Sequence, residues 1–274
     1  MGKILFFDLD GTLWARGELI PDSAAQALVT ARSRGHRVVI NSGRSRGFIH
    51  NRRLFDLGLD AVISGCGTMI EVPASGQERC SRDARENRLL NFSPMSRELT
   101  RACCEMTRKH CFKTIFEGPR YLYCNPEEFR NQEYIRRVQA SMREGMLRIP
   151  EDGGDMEIVK LSCDLEDAVG REAGLAWFDR NFTSLFHNER VCEFVPRGFS
   201  KGSGMREVAR FFGADREDLI AFGDGVNDLE MFREAGIAVA MGGASLPAIE
   251  AADRVTSTLQ EAGIARALSE LGLI

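Results

Sequence analysis

No stretch of this sequence approaches the ~20 consecutive apolar residues that span a bilayer, and it contains no CxxC pair, low-complexity tract or internal repeat. The first absence leaves no candidate for a membrane-crossing helix. With only four histidines, and none spaced to complete a metal site, the eight cysteines do not read as zinc ligands. They stand at positions 66, 80, 103, 104, 111, 124, 163 and 192 and fit reduced thiols in a reducing compartment. Blocks of like charge are also missing: 36 Lys and Arg are interleaved with 40 Asp and Glu for a net charge of -4, which argues against a nucleic-acid partner. Arg44, Arg46, Arg52 and Arg53 read as a solvated helix face, with Arg44 set apart for the reason given below. The opening MGKILFFDLDG has an apolar run too short for a signal-peptide core, so a cytoplasmic location with no membrane partner is expected.

The chain has 274 residues, 43% of them hydrophobic, enough to bury a full core. Ile4 to Phe7 is a continuous apolar run ending in the polar turn DLDGT, as a buried parallel strand meets its C-terminal loop. Pro21, Asp22 and Ser23 open an apolar-periodic helix through about Arg34, Gly35 stops it, and HRVVINSG follows as a second strand. A helix over roughly Phe48 to Leu57 and a third strand at Ala61 to Ser64 continue the alternation. It returns late, with helices over Gly202–Phe212, Val226–Glu234 and Gln260–Leu271 and strands over Leu219–Phe222 and Ile237–Met241. Strands alternating with helices imply an α/β fold: a Rossmann-like three-layer core around a parallel sheet, with ligands at the strands' carboxyl ends. Between them the rhythm breaks. CFKTIFEGPRYLYCN reads as a hairpin turning at Gly118 and Pro119, and MEIVKLSC and SLFHNERVCEFV add strands, so residues 83–188 are expected to form an inserted α+β domain between core segments 1–82 and 189–274.

Asp8 directly follows the first strand, where a rigid loop can hold a carboxylate oxygen in line with phosphorus. Splitting phosphoryl transfer into an aspartyl-phosphate step and a hydrolysis step lowers both barriers. Asp10, two residues on, is placed to protonate the leaving oxygen and then take a proton from the attacking water, and Gly11 lets the backbone bend. The other reading of DxDG is a plain turn after a strand. GDGVND, after the strand in DLIAF, brings Asp224, Asn227 and Asp228 to a second strand end. Asp224 with Asp8 supplies the carboxylates that a hard Mg²⁺ prefers, and Asp228 either joins them directly or acts through water. A helix N-cap at Asn227 or Asp228 is the competing reading. Ser42-Gly43-Arg44 ends the second strand, where a hydroxyl, backbone N–H groups and the Arg44 charge suit phosphate oxygens, against an ordinary turn. Lys201 is preferred to Lys160 as the lysine that neutralises Asp8 and the phosphate, because it lies where the chain re-enters the core.

FFDLDGTL, VVINSGR, the SKG lysine and AFGDGVNDLEM occur in the order found in the haloacid dehalogenase-like superfamily. The chain resembles that superfamily's Cof-type phosphatases with a type IIB cap over nearly its whole length. The resemblance implies Asp8 as nucleophile, Asp10 as acid and base, Ser42, Gly43, Lys201 and Asn227 as phosphate-binding residues, and Mg²⁺ held by Asp8, the Asp10 carbonyl and Asp224. It also implies a cap that closes over the substrate, a small phosphorylated metabolite with sugar phosphates foremost. Ser42 stands where the family usually has Thr, and Cys66 and Gly243 where it commonly has Asn. A phosphomutase of the phosphomannomutase type and a silent phospho-ligand-binding module are the alternatives. His110, His187, Tyr121, Tyr123 and Trp177 are candidates for choosing the substrate, although Trp177 also reads as core.

Overall fold

The computed structural model describes residues 2–15, 17–142, 145–151 and 153–274. The chain divides into two compact units, one made of the chain up to Gly43 with His50–Phe92 and Phe199–Ile274, the other of Arg44–Ile49 and Ser93–Gly198.

The first unit is built on an eight-stranded sheet in the spatial order Arg254–Val255, Ile237–Ala240, Leu219–Gly223, Ile4–Phe7, Arg37–Asn41, Ala61–Ser64, Met69–Val72 and Arg88–Phe92. The first six run parallel. Ile4–Phe7 is central and buried along its whole length, which explains its lack of polar alternation. Its side chains divide by the two-residue period: Ile4 and Phe6 join Met205, Val208 and Ala221 in one core cluster, and on the other side Phe7 stacks on Phe222 at 4.6 Å between centroids. Helix Asp22–Ser33 follows Pro21, buries Ala24, Ala27, Leu28 and Ala31 at helical spacing, and packs against the closing helix Gly263–Glu270. Helix Lys201–Phe212 begins with a capping box between Ser200 and Ser203 and packs on Leu229–Glu234.

Several elements depart from the sequence reading. Met69–Val72 and Arg88–Phe92 extend the large sheet as antiparallel strands, while Val191–Pro196 pairs with Lys160–Asp164 and Phe182–Phe186 in the second unit. The units therefore divide after Phe92 and after Gly198, later than residues 82 and 188, because those pairings decide membership. The helix expected over Phe48–Leu57 is a 3-10 turn, Arg46–Phe48, and a short helix, Arg52–Asp56. The Asn51 side chain accepts the Leu54 N–H and so caps a new start. Arg46 is not on a solvated face: it is 4% exposed, and its guanidinium donates to the Ile49 carbonyl.

The second unit holds a six-stranded sheet in the order Phe182–Phe186, Val191–Pro196, Lys160–Asp164, Lys113–Glu117, Leu122–Tyr123 and Met146–Leu147. One face is apolar, with Phe116, Leu161, Cys163 and Phe194 packed among Phe112 and Phe178. The opposite register of the same strands carries Glu117, Lys160, Ser162 and Glu193. None of the eight cysteines forms a disulfide, and burial pushes the Cys104 thiol up to about 11 and those of Cys124 and Cys192 to about 12.

Candidate active site

Asp8 is the residue after the central strand. Its N–H donates to the Phe222 carbonyl at 3.0 Å, which prolongs the pairing of Ile4–Phe7 with Leu219–Gly223 and fixes the carboxylate at the carboxyl ends of both strands. Asp224, the first residue past the neighbouring strand, is held there by the Ser245 N–H on its carbonyl at 2.8 Å and by the Thr12 hydroxyl on Oδ1 at 3.2 Å. Asp228, fully buried, uses Oδ2 to accept the N–H groups of Asp224 and Gly225, each at 2.9 Å. It thereby closes the turn that carries Asp224.

Lys201 is the first residue of its helix and is completely buried. Its ammonium lies 2.5 Å from Asp8 Oδ1 and 2.6 Å from Asp228 Oδ1. Asn41, the last residue of strand Arg37–Asn41, donates through Nδ2 to the Lys201 carbonyl at 2.9 Å and so ties the helix start to the sheet. Lys160, the alternative lysine, sits in the second unit instead, 2.6 Å from Glu193 Oε2 and 3.4 Å from Glu117 Oε1.

The electrostatics follow from that packing. Burial, reinforced by the charge of Asp228, raises the Asp8 carboxyl well above its ordinary value despite Lys201. Burial and Asp228 likewise raise Asp224. Burial opposes the charge on Lys201, but Asp228 and Asp8 outweigh it and hold the ammonium charged. Asp8, Asp224 and Asp228 each offer a carboxylate oxygen within 4.8 Å of the others, and among the described residues the ammonium of Lys201 is the one that faces them. Such an all-oxygen, charge-deficient cluster fits a hard divalent cation. Asp8 and Asp224 are the members suited to ligate it, because Asp228 already spends three of the roughly four lone-pair positions of a carboxylate on Lys201 and two N–H groups.

The remaining sequence candidates are distributed as follows. Asp10 is exposed, and its Oδ1 accepts the Trp14 indole N–H at 3.1 Å. Ser42 and Gly43 follow the strand that pairs with Ile4–Phe7, and Ser42 is buried, with its N–H on the Ile63 carbonyl at 2.9 Å. Asn227 lies half-buried in the 3-10 turn Val226–Asp228. Arg44 belongs to the second unit, where its guanidinium carbon lies 5.8 Å from the Phe48 ring centroid. His110, read as a substrate-facing candidate, is buried with Nδ1 2.8 Å from the Val169 carbonyl, and Trp177 packs edge-on against Phe178. Thr12, Asn41 and Trp14 escaped the sequence reading. Thr12 stood inside the DLDGT motif and Trp14 two residues beyond it, in contact with Asp10, whereas Asn41 acts through a contact that no local pattern signals.

A profile of the haloacid dehalogenase-like hydrolases matches residues 5–268. The chain belongs to this family. It is 30% identical to the putative phosphatase YkrA of Bacillus subtilis, over 99% of this chain and 98% of that one. It is 27% identical to the 5-amino-6-(5-phospho-D-ribitylamino)uracil phosphatase YcsE of the same organism, over 97% of this chain and 94% of that one. Among solved structures, a subclass IIB sugar phosphatase of the superfamily, BT4131, superposes with a TM-score of 0.81 at 26% identity, covering 99% of this chain and all of that one. The chain is thus a haloacid dehalogenase-like hydrolase, and its strand-end carboxylates lie within the matched region.

Proposed function

We propose that the protein is a Mg²⁺-dependent phosphatase that hydrolyses a small phosphorylated metabolite, with sugar phosphates the foremost class, through an aspartyl-phosphate at Asp8. The observation that carries the reading is the position of Asp8 at a strand end, with one oxygen on Lys201 and Asp224 beside it across the same cluster. The phosphatase names of the relatives and the sugar phosphatase among the structural neighbours support it.

An Asp8 oxygen forms a bond to phosphorus as the bond to the leaving alkoxide breaks, and Asp10 delivers the proton that the alkoxide needs. Water then attacks the aspartyl-phosphate, Asp10 takes its proton, and phosphate and free Asp8 result. Lys201 lies where it stabilises the ionised form of Asp8 and charge on the phosphoryl oxygens. The hydroxyl of Ser42, the N–H groups around Gly43 and the amide of Asn227 bind the remaining oxygens. Asp8, the Asp10 carbonyl and Asp224 would hold Mg²⁺, which would supply positive charge next to the phosphoryl group. Asp228 serves this site by bracing Lys201 and Asp224.

The test is phosphate release from a panel of phosphorylated metabolites, with and without Mg²⁺, for the wild type and Asp8→Asn. Metal-dependent release that the substitution abolishes supports the reading, and undiminished release by the variant refutes it. Transfer of the phosphoryl group to a second sugar hydroxyl in place of water assigns a mutase.

A further inference from the structure

At the amino ends of the same strands, away from Asp8, a cavity of about 270 Å³ opens among Arg32, His36, Arg37, Asp60 and Phe212. Its cations exceed its anions. Among the described residues Asp60 is the one carboxylate lining it, and Asp60 is already engaged: Oδ2 accepts the Val38 N–H at 2.8 Å, while Arg32 Nε and Arg37 Nη1 stand 3.3 and 3.6 Å from its oxygens. The Arg32 Nε is buried against Asp60 Oδ2 without an aligned hydrogen bond, so the residue lines the cavity with its charge held by an ion pair and no hydrogen bond on that nitrogen. Arg37 lies 4.2 Å from the Phe212 ring centroid, which fixes its guanidinium plane. The Lys3 N–H donates to His36 Nδ1 at 3.0 Å, so the neutral ring carries its proton on Nε2 and is a donor there.

We propose that this cavity is a second anion site, separate from the carboxylate cluster, that takes a phosphate group on Arg32, Arg37 and His36. Planar guanidinium forks match phosphate oxygens, and a volume just under the ~300 Å³ at which ligand pockets begin suits a small anion. The local field agrees: burial first, then the charges of Arg34 and Lys3, lower the His36 pKa, as expected beside a surplus of cations. Lys3 is itself paired with Asp218 at 2.8 Å, which leaves Arg34 and the two lining arginines set against the carboxylate of Asp60.

The proposal is independent of the chemistry at Asp8. The imidazole proton resonances of His36 in the full-length protein, titrated with inorganic phosphate, report on this cavity alone. A saturable shift, a raised His36 pKa in phosphate and a several-fold weaker response in both Arg37→Ala and Arg34→Glu, with phosphate release at Asp8 unchanged, are expected. Arg34→Glu leaves the Asp60 ion pairs intact and so guards against a folding artefact. An absent or unsaturated shift, or a saturable one that both variants retain at full strength, overturns the proposal.

Discussion

A β-carbon on Gly11 would lie 2.3 Å from Asp224 Oδ2, so the DLDGT turn and the GDGVND turn share one site only because position 11 carries no side chain. Gly11 also has φ +83°, a region that costs other residues about 1–2 kcal/mol. Two physical demands therefore meet at one residue.

Gly11→Ala is accordingly expected to lower stability by about 1–2 kcal/mol and to reduce phosphate release far more, by about 100-fold, since displacing a positioned group by an ångström has that scale of effect. Urea denaturation and phosphate release measured on one preparation check both. A variant as active as the wild type would contradict the shared-site geometry.

Lys201→Met removes the ammonium between Asp8 and Asp228, both of which are buried. Breaking one side of such a cluster costs about 3–5 kcal/mol, and the loss is expected in the urea midpoint at neutral pH without added metal. Adding Asp228→Asn should recover part of it by removing one uncompensated charge. No recovery would mean that packing, not charge, dominates.

Asp8 and Asp224 have raised folded-state pKa values. Their contribution to stability is therefore full below the ordinary carboxylate value, near about 4, and is lost as pH rises through the raised values. Metal-free protein should lose this contribution progressively as pH rises above the ordinary carboxylate value. Mg²⁺, binding the ionised pair, should restore about 2.7 kcal/mol at about 100 times its Kd. Thermal melts across pH with Mg²⁺ or a chelator test this, and Asp8→Asn should flatten the slope.

The sequence carries much of this site because its parts follow strands. Asp8, Ser42 and Asp224 each directly follow a strand of the parallel sheet, so topology alone sends them to one edge of it. What local pattern does not encode is the partner of a side chain far along the chain. Asn41 looks like the polar end of a strand, yet it holds the Lys201 carbonyl 160 residues away. Asp228 reads equally as ligand or cap, and only its three bonded neighbours show it as a brace. The strand Arg88–Phe92 is half-exposed and lacks a continuous apolar run, so nothing in it marks pairing with the core. Arg46 misleads because a buried arginine and a solvated one look alike until the acceptor is known.

The buried Lys160 cluster of the second unit gives a prediction of opposite sign. Burial pushes the Glu193 carboxyl up, but the Lys160 charge, helped by His187 at 3.1 Å, outweighs it and holds the group at about 2. Glu193 thus stabilises the wild type above the ordinary value of about 4.5, by about 3 kcal/mol, and the contribution fades as pH falls toward 2. Glu117, raised by burial in spite of Lys160, offsets part of it. In Lys160→Met neither carboxylate keeps the ammonium, so both are expected to sit above their ordinary value, and the variant should gain stability on acidification from neutral pH toward about 5. Trp177 is the tryptophan of this unit and Trp14 that of the other, so urea melts followed by Trp177 fluorescence in a Trp14→Phe background read the unit directly. A variant whose stability falls with acidification as the wild type's does would show that Lys160 does not set the charge state of Glu193.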